Sequence, residues 1–102
     1  GYLLSTGAPI VMPDVACFVL DGINEYNFSS RTLILSPDSH IRLKLVEMRP
    51  HQEAWLFKDG HRSHELQVGD EVLLRRSGLR ARLIFFNPDY FFNNLASRLS
   101  WF

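Results

Sequence analysis

The sequence predicts an all-β fold: an antiparallel β-sandwich or distorted barrel, ending in one C-terminal amphipathic helix. Three observations carry this reading. Between residues 15 and 86 the apolar residues recur mainly with period two, the period of a strand. Turn-forming clusters divide that stretch at short intervals, among them Ser36-Pro37-Asp38-Ser39, Asp59-Gly60 and Val68-Gly69-Asp70. Beyond Phe86 the spacing lengthens to about four, as on one face of a helix.

Taken in order, Val15 to Leu20 is a short, almost wholly apolar run, the pattern of a strand buried on both faces. Arg31 to Leu35 is a second short strand. Ser36-Pro37-Asp38-Ser39 then turns the chain, because Pro presets one dihedral and Asp and Ser bond back to the backbone. His40 to Arg49 alternates, with Ile41, Leu43 and Leu45 on one face and His40, Arg42 and Lys44 on the other. After Pro50, Glu53 to Lys58 and His61 to Leu66 flank Asp59-Gly60, a strong two-residue hairpin signal because the favoured turn needs positive φ. Glu71 to Arg76 and Leu79 to Phe86 read as a further hairpin about Ser77-Gly78. Asn87 is a candidate N-cap, Pro88 suits the first helical position, and Asp89 complements the helix dipole. Phe91, Leu95, Leu99 and Phe102 then line one helical face. So many aromatic residues on so short a helix exceed what a small sheet needs, which predicts packing on another domain or subunit.

With 102 residues, 46% of them hydrophobic, the chain is one domain or part of one, with enough apolar material for a core. Eleven basic residues balance eleven acidic ones, so there is no general pull toward nucleic acid or an anionic membrane. The single cysteine excludes an internal disulfide and fits a reducing compartment. No apolar run approaches the roughly 20 residues of a membrane span, and no secretory leader is evident; the expected location is the cytoplasm. The opening residues lack an initiator Met and read as the interior of a longer chain.

Candidate chemical groups are few. His61 and His64 lie three apart, which on a regular strand points them to opposite faces and argues against a metal pair. Cys17 sits in the apolar run Val15 to Val19 with no basic neighbour to lower its pKa, and is expected to be a buried, inert thiol. Arg75, Arg76, Arg80 and Arg82 could form a phosphate patch; the zero net charge favours a solvent face, or ion pairs with Glu65, Asp70 and Glu71. No Walker loop, dinucleotide fingerprint or nucleophile elbow occurs, so these residues supply no self-sufficient catalytic site.

Five ordered blocks carry a family resemblance. The opening Gly1-Tyr2-Leu3-Leu4-Ser5-Thr6-Gly7-Ala8-Pro9-Ile10-Val11-Met12-Pro13 is similar to the NAD kinase pattern Ala/Gly-Tyr-x-x-Ser-x-Gly-Gly-Pro-Ile-x-x-Pro. Leu20, Ile23, Ser29, Arg31, Leu33 and Leu35 fall in register with that family's Leu-Thr-Pro-Ile-Cys-Pro-His-Ser-Leu-Ser-x-Arg-Pro-Leu-Val-Leu. Ala54-Trp55-Leu56-Phe57-Lys58-Asp59-Gly60-His61 resembles its Ala-Trp-Val-Ser-x-Asp-Gly-Gln. Gly69-Asp70-Glu71-Val72-Leu73-Leu74-Arg75-Arg76-Ser77 resembles its Gly-Asp-x-Val-x-x-Arg-Arg-Ser. Phe91-Phe92-Asn93-Asn94-Leu95 through Leu99-Ser100-Trp101 resembles its closing Phe-Phe-x-x-Leu-x-x-Lys-Leu-x-Trp. Met12 stands where the family usually has His, and Asp21-Gly22 where it has Thr-Pro.

The resemblance implies the C-terminal, NAD-binding all-β domain, residues 1–102, of a two-domain kinase whose N-terminal domain is α/β. It implies phosphoryl transfer from ATP, or polyphosphate in some members, to the 2′-hydroxyl of NAD's adenosine ribose, with Mg²⁺ or another divalent cation in the complete enzyme. The family's Gly-Gly-Asp-Gly and Asn-Glu/Asp motifs, placed in the N-terminal domain, do not occur in this chain, so the chain alone is expected not to turn over. Carried over residue by residue, the implied NAD contacts are Gly1, Tyr2, Leu3, Leu4, Ser5 and His61. Tyr2 corresponds to the pocket-lining tyrosine, although by its own surroundings it reads as a core residue. Ser5 corresponds to the serine near the nicotinamide, Leu3 and Leu4 contribute mainly backbone, and His61 replaces a glutamine that touches the nucleotide. A dimer or tetramer is implied as well. The alternatives are the β domain of a diacylglycerol- or sphingosine-type lipid kinase, or a non-catalytic β-sandwich interaction module; the Ala54-Trp55 and Arg75-Arg76-Ser77 blocks argue against the lipid kinase.

Overall fold

A computed structural model describes residues 2–23 and 31–100, with the backbone alone for Tyr2. The expectations for Gly1, Ser29, Trp101 and Phe102 fall outside these residues. The architecture is all-β with a C-terminal helix, as the sequence predicts. The described strands form three two-stranded antiparallel ladders, and no closed barrel is formed among them. Two compact units divide the chain, Gly1–Pro37 with Ser77–Phe102, and Asp38–Arg76.

Within Asp38–Arg76, β3 (Ile41–Lys44) pairs with β6 (Glu71–Leu74), placing Ile41 opposite Leu74 and Lys44 opposite Glu71. The expected strand through Arg49 stops at Lys44, because its partner is spent at the Val68-Gly69 turn. There Gly69 N–H donates to the Leu45 carbonyl at 2.7 Å and Leu45 N–H to the Asp70 carbonyl at 3.0 Å, closing the ladder. Between these strands lies a hairpin of β4 (Ala54–Lys58) and β5 (His61–Leu66). Its central residues Asp59 and Gly60 have φ of 48° and 78°, the two left-handed positions that a type I′ turn requires.

That turn sets Lys58 opposite His61 and Phe57 opposite Arg62. The register then slips by one residue between Leu56 and Phe57, so Ser63 is the extra residue of a β-bulge and Leu56 meets His64. Trp55 lies two residues from Phe57 on β4 and shares its face, which is also the face of Arg62. The Arg62 guanidinium consequently stands over the Trp55 ring at 4.6 Å and 6.0 Å from the Phe57 ring. Trp55 Nε1 donates to Glu53 Oε2 at 3.1 Å, fixing the other end of the indole.

In the other unit, β1 (Phe18–Leu20) pairs with β2 (Leu33–Leu35), Phe18 opposite Leu35 and Leu20 opposite Leu33. The strand expected from Val15 begins only at Phe18, and its residues are half-buried rather than buried; Val15 is 52% exposed. Its partner spans three residues, and residues outside a ladder gain no strand pairing. The hairpin expected about Ser77-Gly78 is not formed: Ser77 Oγ accepts from Leu79 N–H at 3.0 Å, and Leu79 to Phe86 adopts no strand. In that run Leu79 is 89% exposed, Ile84 81% and Phe86 100%. The apolar material is therefore present but not gathered into a core. Among the described residues Ala8 alone is buried.

The C-terminal helix α2 (Tyr90–Leu99) begins later than a cap at Asn87 would set it. Asn87 instead folds an Asx turn, its Oδ1 accepting from Asp89 N–H at 2.9 Å, and Asp89 holds the N-cap place without a side-chain bond. Arg98 lies in the last turn, where a cation suits the dipole, and Ser100 ends the helix with φ of 50°. Phe91 and Leu95 are half-buried, Phe92 is exposed, and no described strand or helix packs against α2.

Candidate functional site

Four of the six implied NAD contacts lie on one short element. Tyr2 to Ser5 form α1, a single helical turn where the sequence pattern predicts none. Gly7 explains why it stops. With φ of 85°, Gly7 takes the left-handed position after the helix; its N–H reaches the Leu4 carbonyl at 3.2 Å and Ala8 N–H reaches the Leu3 carbonyl at 2.9 Å. This pair of bonds is a Schellman cap, and Pro9 follows where a helix cannot continue. The cap engages the carbonyls of Leu3 and Leu4, while their side chains stay 40% and 44% exposed. Ser5 is exposed beside them.

The turn is tied to its surroundings through Asp21. Thr6, next to Ser5, donates its hydroxyl to the Leu3 carbonyl at 2.8 Å and to Asp21 Oδ2. Thr32 donates to Asp21 Oδ1 at 2.6 Å. The Thr32 bond first, then the Thr6 bond, hold the Asp21 carboxyl below the usual aspartate range against an opposing effect of burial, with the Gly22 N–H the smallest contribution.

His61, the sixth implied contact, opens β5 opposite Lys58 and is exposed. It belongs to the Asp38–Arg76 unit and α1 to the other. The bulge at Ser63 corrects the expectation for the histidines. His61 faces Lys58 and His64 faces Leu56; those partners are two apart on β4, so both histidines share one sheet face. A lysine sits directly across from His61, and His64 Nδ1 is 2.6 Å from Ser63 Oγ. Among the described residues no group of three or more His, Cys, Asp or Glu is placed to hold a metal ion.

Cys17 precedes β1 and is half-buried, not buried, because the strand starts after it. Arg75, Arg76, Arg80 and Arg82 are all exposed. Arg76 pairs with Asp38 at 3.4 Å, not with the acids nearer in sequence, since the β3–β6 ladder brings the two ends of the unit together. Both side chains are largely exposed, so the pair adds little stability. A shallow concavity of about 530 Å³ lies over that ladder, lined by His40, Ile41, Arg42, Leu73, Leu74 and Arg75. No implied NAD contact lines it. No helix among the described residues is long and apolar enough to cross a membrane.

Comparison with known proteins settles the family. A family model described as ATP-NAD kinase C-terminal domain matches residues 1–86. The NAD kinase of Treponema pallidum (strain Nichols) is 38% identical over 100 residues, covering 98% of this chain and 32% of that protein. The NAD kinase of Geobacter metallireducens is 30% identical, covering 99% of this chain and 35% of its own length. A bifunctional NADP phosphatase/NAD kinase of Methanococcus maripaludis is 36% identical over 92% of this chain and 16% of its own length. No solved structure gives a significant match. The chain thus spans about a third of the length of the NAD kinases it matches. The match over residues 1–86, together with relatives aligned along nearly the whole chain, means that the chain belongs to the ATP-NAD kinase C-terminal domain family.

Proposed function

We propose that this chain is the NAD-binding β portion of an enzyme that transfers the terminal phosphoryl group of ATP to the 2′-hydroxyl of NAD's adenosine ribose. The family match along residues 1–86 carries the reading, and the same match favours it over a lipid kinase. Phosphoryl transfer depends on positioning and charge neutralisation more than on covalent chemistry by the protein. The share of this chain is positioning. Gly1, Tyr2, Leu3, Leu4 and Ser5 form the NAD contact, Tyr2 supplying aromatic area with one polar handle and Ser5 a hydroxyl; His61, able to donate and accept, meets the nucleotide. We assign the divalent cation of the complete enzyme to its N-terminal domain, where the family resemblance places the Gly-Gly-Asp-Gly and Asn-Glu/Asp motifs.

The rest of the longer enzyme covers the exposed apolar surface. Leu79, Leu83, Ile84 and Phe86 are each at least 75% exposed, a load that monomers rarely leave open. We assign this run and the α2 face to contact with the N-terminal domain and with a second copy in a homo-oligomer. The lone Cys17 suits a cytoplasmic enzyme.

The test is production of NADP from NAD, ATP and Mg²⁺ by the full-length protein, with none from the 102-residue chain alone. In the full-length protein Tyr2→Ala raises KM for NAD, a loss of about 1–3 kcal/mol on the scale of an aromatic stacking contact, with little change in melting temperature. A melting collapse with unchanged NAD affinity of the folded fraction would return Tyr2 to the core.

A further inference from the structure

We infer that Asp21 is a positioning residue for the NAD-binding turn: its carboxylate ties Thr6, the residue after Ser5, to Thr32 and thereby fixes α1 against the end of the β1–β2 ladder. This inference rests on the NAD reading above. Asp21 directly follows β1 and Thr32 directly precedes β2, so the two stand one step beyond the last ladder pair, Leu20 opposite Leu33. Each carboxylate oxygen takes one hydroxyl, Oδ1 from Thr32 and Oδ2 from Thr6. An ionised carboxylate only accepts, and bonds to a charged acceptor are about twice as strong as neutral ones. The lowered pKa of Asp21 agrees with an ionised group held by donors.

The turn needs such an anchor. A helix of four residues does not stabilise itself, since nucleation fixes several dihedrals for one hydrogen bond. The Schellman bonds and the Thr6 bond to Leu3 are internal to residues 3–8 and shape the turn without placing it. Thr6 has one proton, shared between the Leu3 carbonyl and Asp21. The same hydroxyl thus closes the turn and fastens it fifteen residues away in sequence. Releasing Asp21 leaves Tyr2 and Ser5 free to move together, which costs ligand binding before it costs chemistry.

The experiment uses the full-length protein. Asp21→Ala and Thr6→Val each raise KM for NAD about tenfold, the scale of losing one bond to a charged group. In the same variants kcat stays within about twofold and KM for ATP is unchanged, the split expected when ground-state and transition-state binding are lost together. Asp21→Asn, which keeps one acceptor oxygen, falls between. Thr6→Ser keeps the hydroxyl and restores wild-type KM. The double variant Asp21→Ala/Thr6→Val loses less than the sum of the two single losses, because the Thr6–Asp21 bond is common to both. A second readout is independent of turnover: amide exchange at Gly7 and Ala8 accelerates in Asp21→Ala and Thr6→Val but not in Thr6→Ser. An unchanged KM for NAD in Asp21→Ala of an active enzyme overturns the inference, as does a lowered melting temperature with unaltered exchange at Gly7 and Ala8. Should the wild type form no NADP, the NAD reading fails, and the exchange arm alone decides whether Asp21 holds the turn.

Discussion

The β4–β5 hairpin and the run from Leu79 to Phe86 are built from similar residues, apolar side chains interleaved with arginine or histidine. The hairpin carries its partner on the same short stretch. Asp59 and Gly60 reverse the chain in two residues, and Ala54, Trp55 and Leu56 become half-buried as β4 meets β5. The later run has no such reversal. Ser77 instead bonds forward, its Oγ accepting from Leu79 N–H at 3.0 Å, and Phe86 is left 100% exposed. Alternation describes what a segment is able to pair with; the turn decides whether a partner is at hand. A strand-like run without a local turn has no partner set by its own sequence, and in the function proposed above the longer polypeptide supplies one.

The largest effect expected from this contrast is at Phe86. In the full-length protein, where the proposed function has the run covered, Phe86→Ala costs about 3–5 kcal/mol, as for truncation of a packed aromatic. In the 102-residue chain the same change costs nothing measurable, since the ring already meets solvent. Urea unfolding midpoints of the two pairs of proteins make the comparison. Equal losses in both backgrounds, or in neither, would break it.

Locality also explains what was legible in the sequence. The bounds of β5 coincide with those read from alternation after Asp59-Gly60, because a two-residue turn sets the register of its own hairpin. The pairing of β3 with β6 joins Lys44 to Glu71 across the intervening hairpin, and no turn announces it. The bulge at Ser63 is invisible for a related reason: it is a property of two strands together, and it moves His64 onto the face of His61. In the candidate site, the residue types from Tyr2 to Pro9 were readable through their family resemblance. The helical turn has no period to show, being a single turn, although Gly7 and Pro9 are the marks of a helix stop. Asp21, Thr6 and Thr32 gave no local signal, since they meet only after β1 and β2 have paired.

A smaller effect sharpens the role of the turn. Gly60 has open space where a Cβ would stand, so the cost of Gly60→Ala is conformational rather than steric crowding by neighbours. At φ of 78° that cost is about 1–2 kcal/mol, the penalty of a left-handed L-residue. Gly60→Asn costs less, because asparagine tolerates this region. Both losses are of equal size in the isolated chain and in the full-length enzyme, unlike that at Phe86. Thermal unfolding followed by Trp55 fluorescence reads them, and a loss confined to one background would mean that the hairpin, too, depends on remote partners.

The smallest effect belongs to Arg62. Its guanidinium lies over Trp55 and near Phe57 because the Asp59-Gly60 turn sets Arg62 opposite Phe57, on the face those rings share. Arg62 is exposed, as is Phe57, so the stack is a surface cation–π contact worth about 0.5–1 kcal/mol. Arg62→Ala loses that amount together with the cover its stem gives the rings. Arg62→Lys keeps the charge but not the planar group, and falls between. Deleting Ser63 is the sharper variant, because it separates the turn from the bulge. Without Ser63 the register fixed at the turn runs on unbroken, and Arg62 still faces Phe57 while His64 still faces Leu56. Near-ultraviolet dichroism of Trp55 therefore changes in Arg62→Ala and stays close to wild type on deletion of Ser63. A Trp55 signal altered as much by the deletion would mean that the added twist of the bulge, and not the register set by the turn, carries the arginine onto the ring.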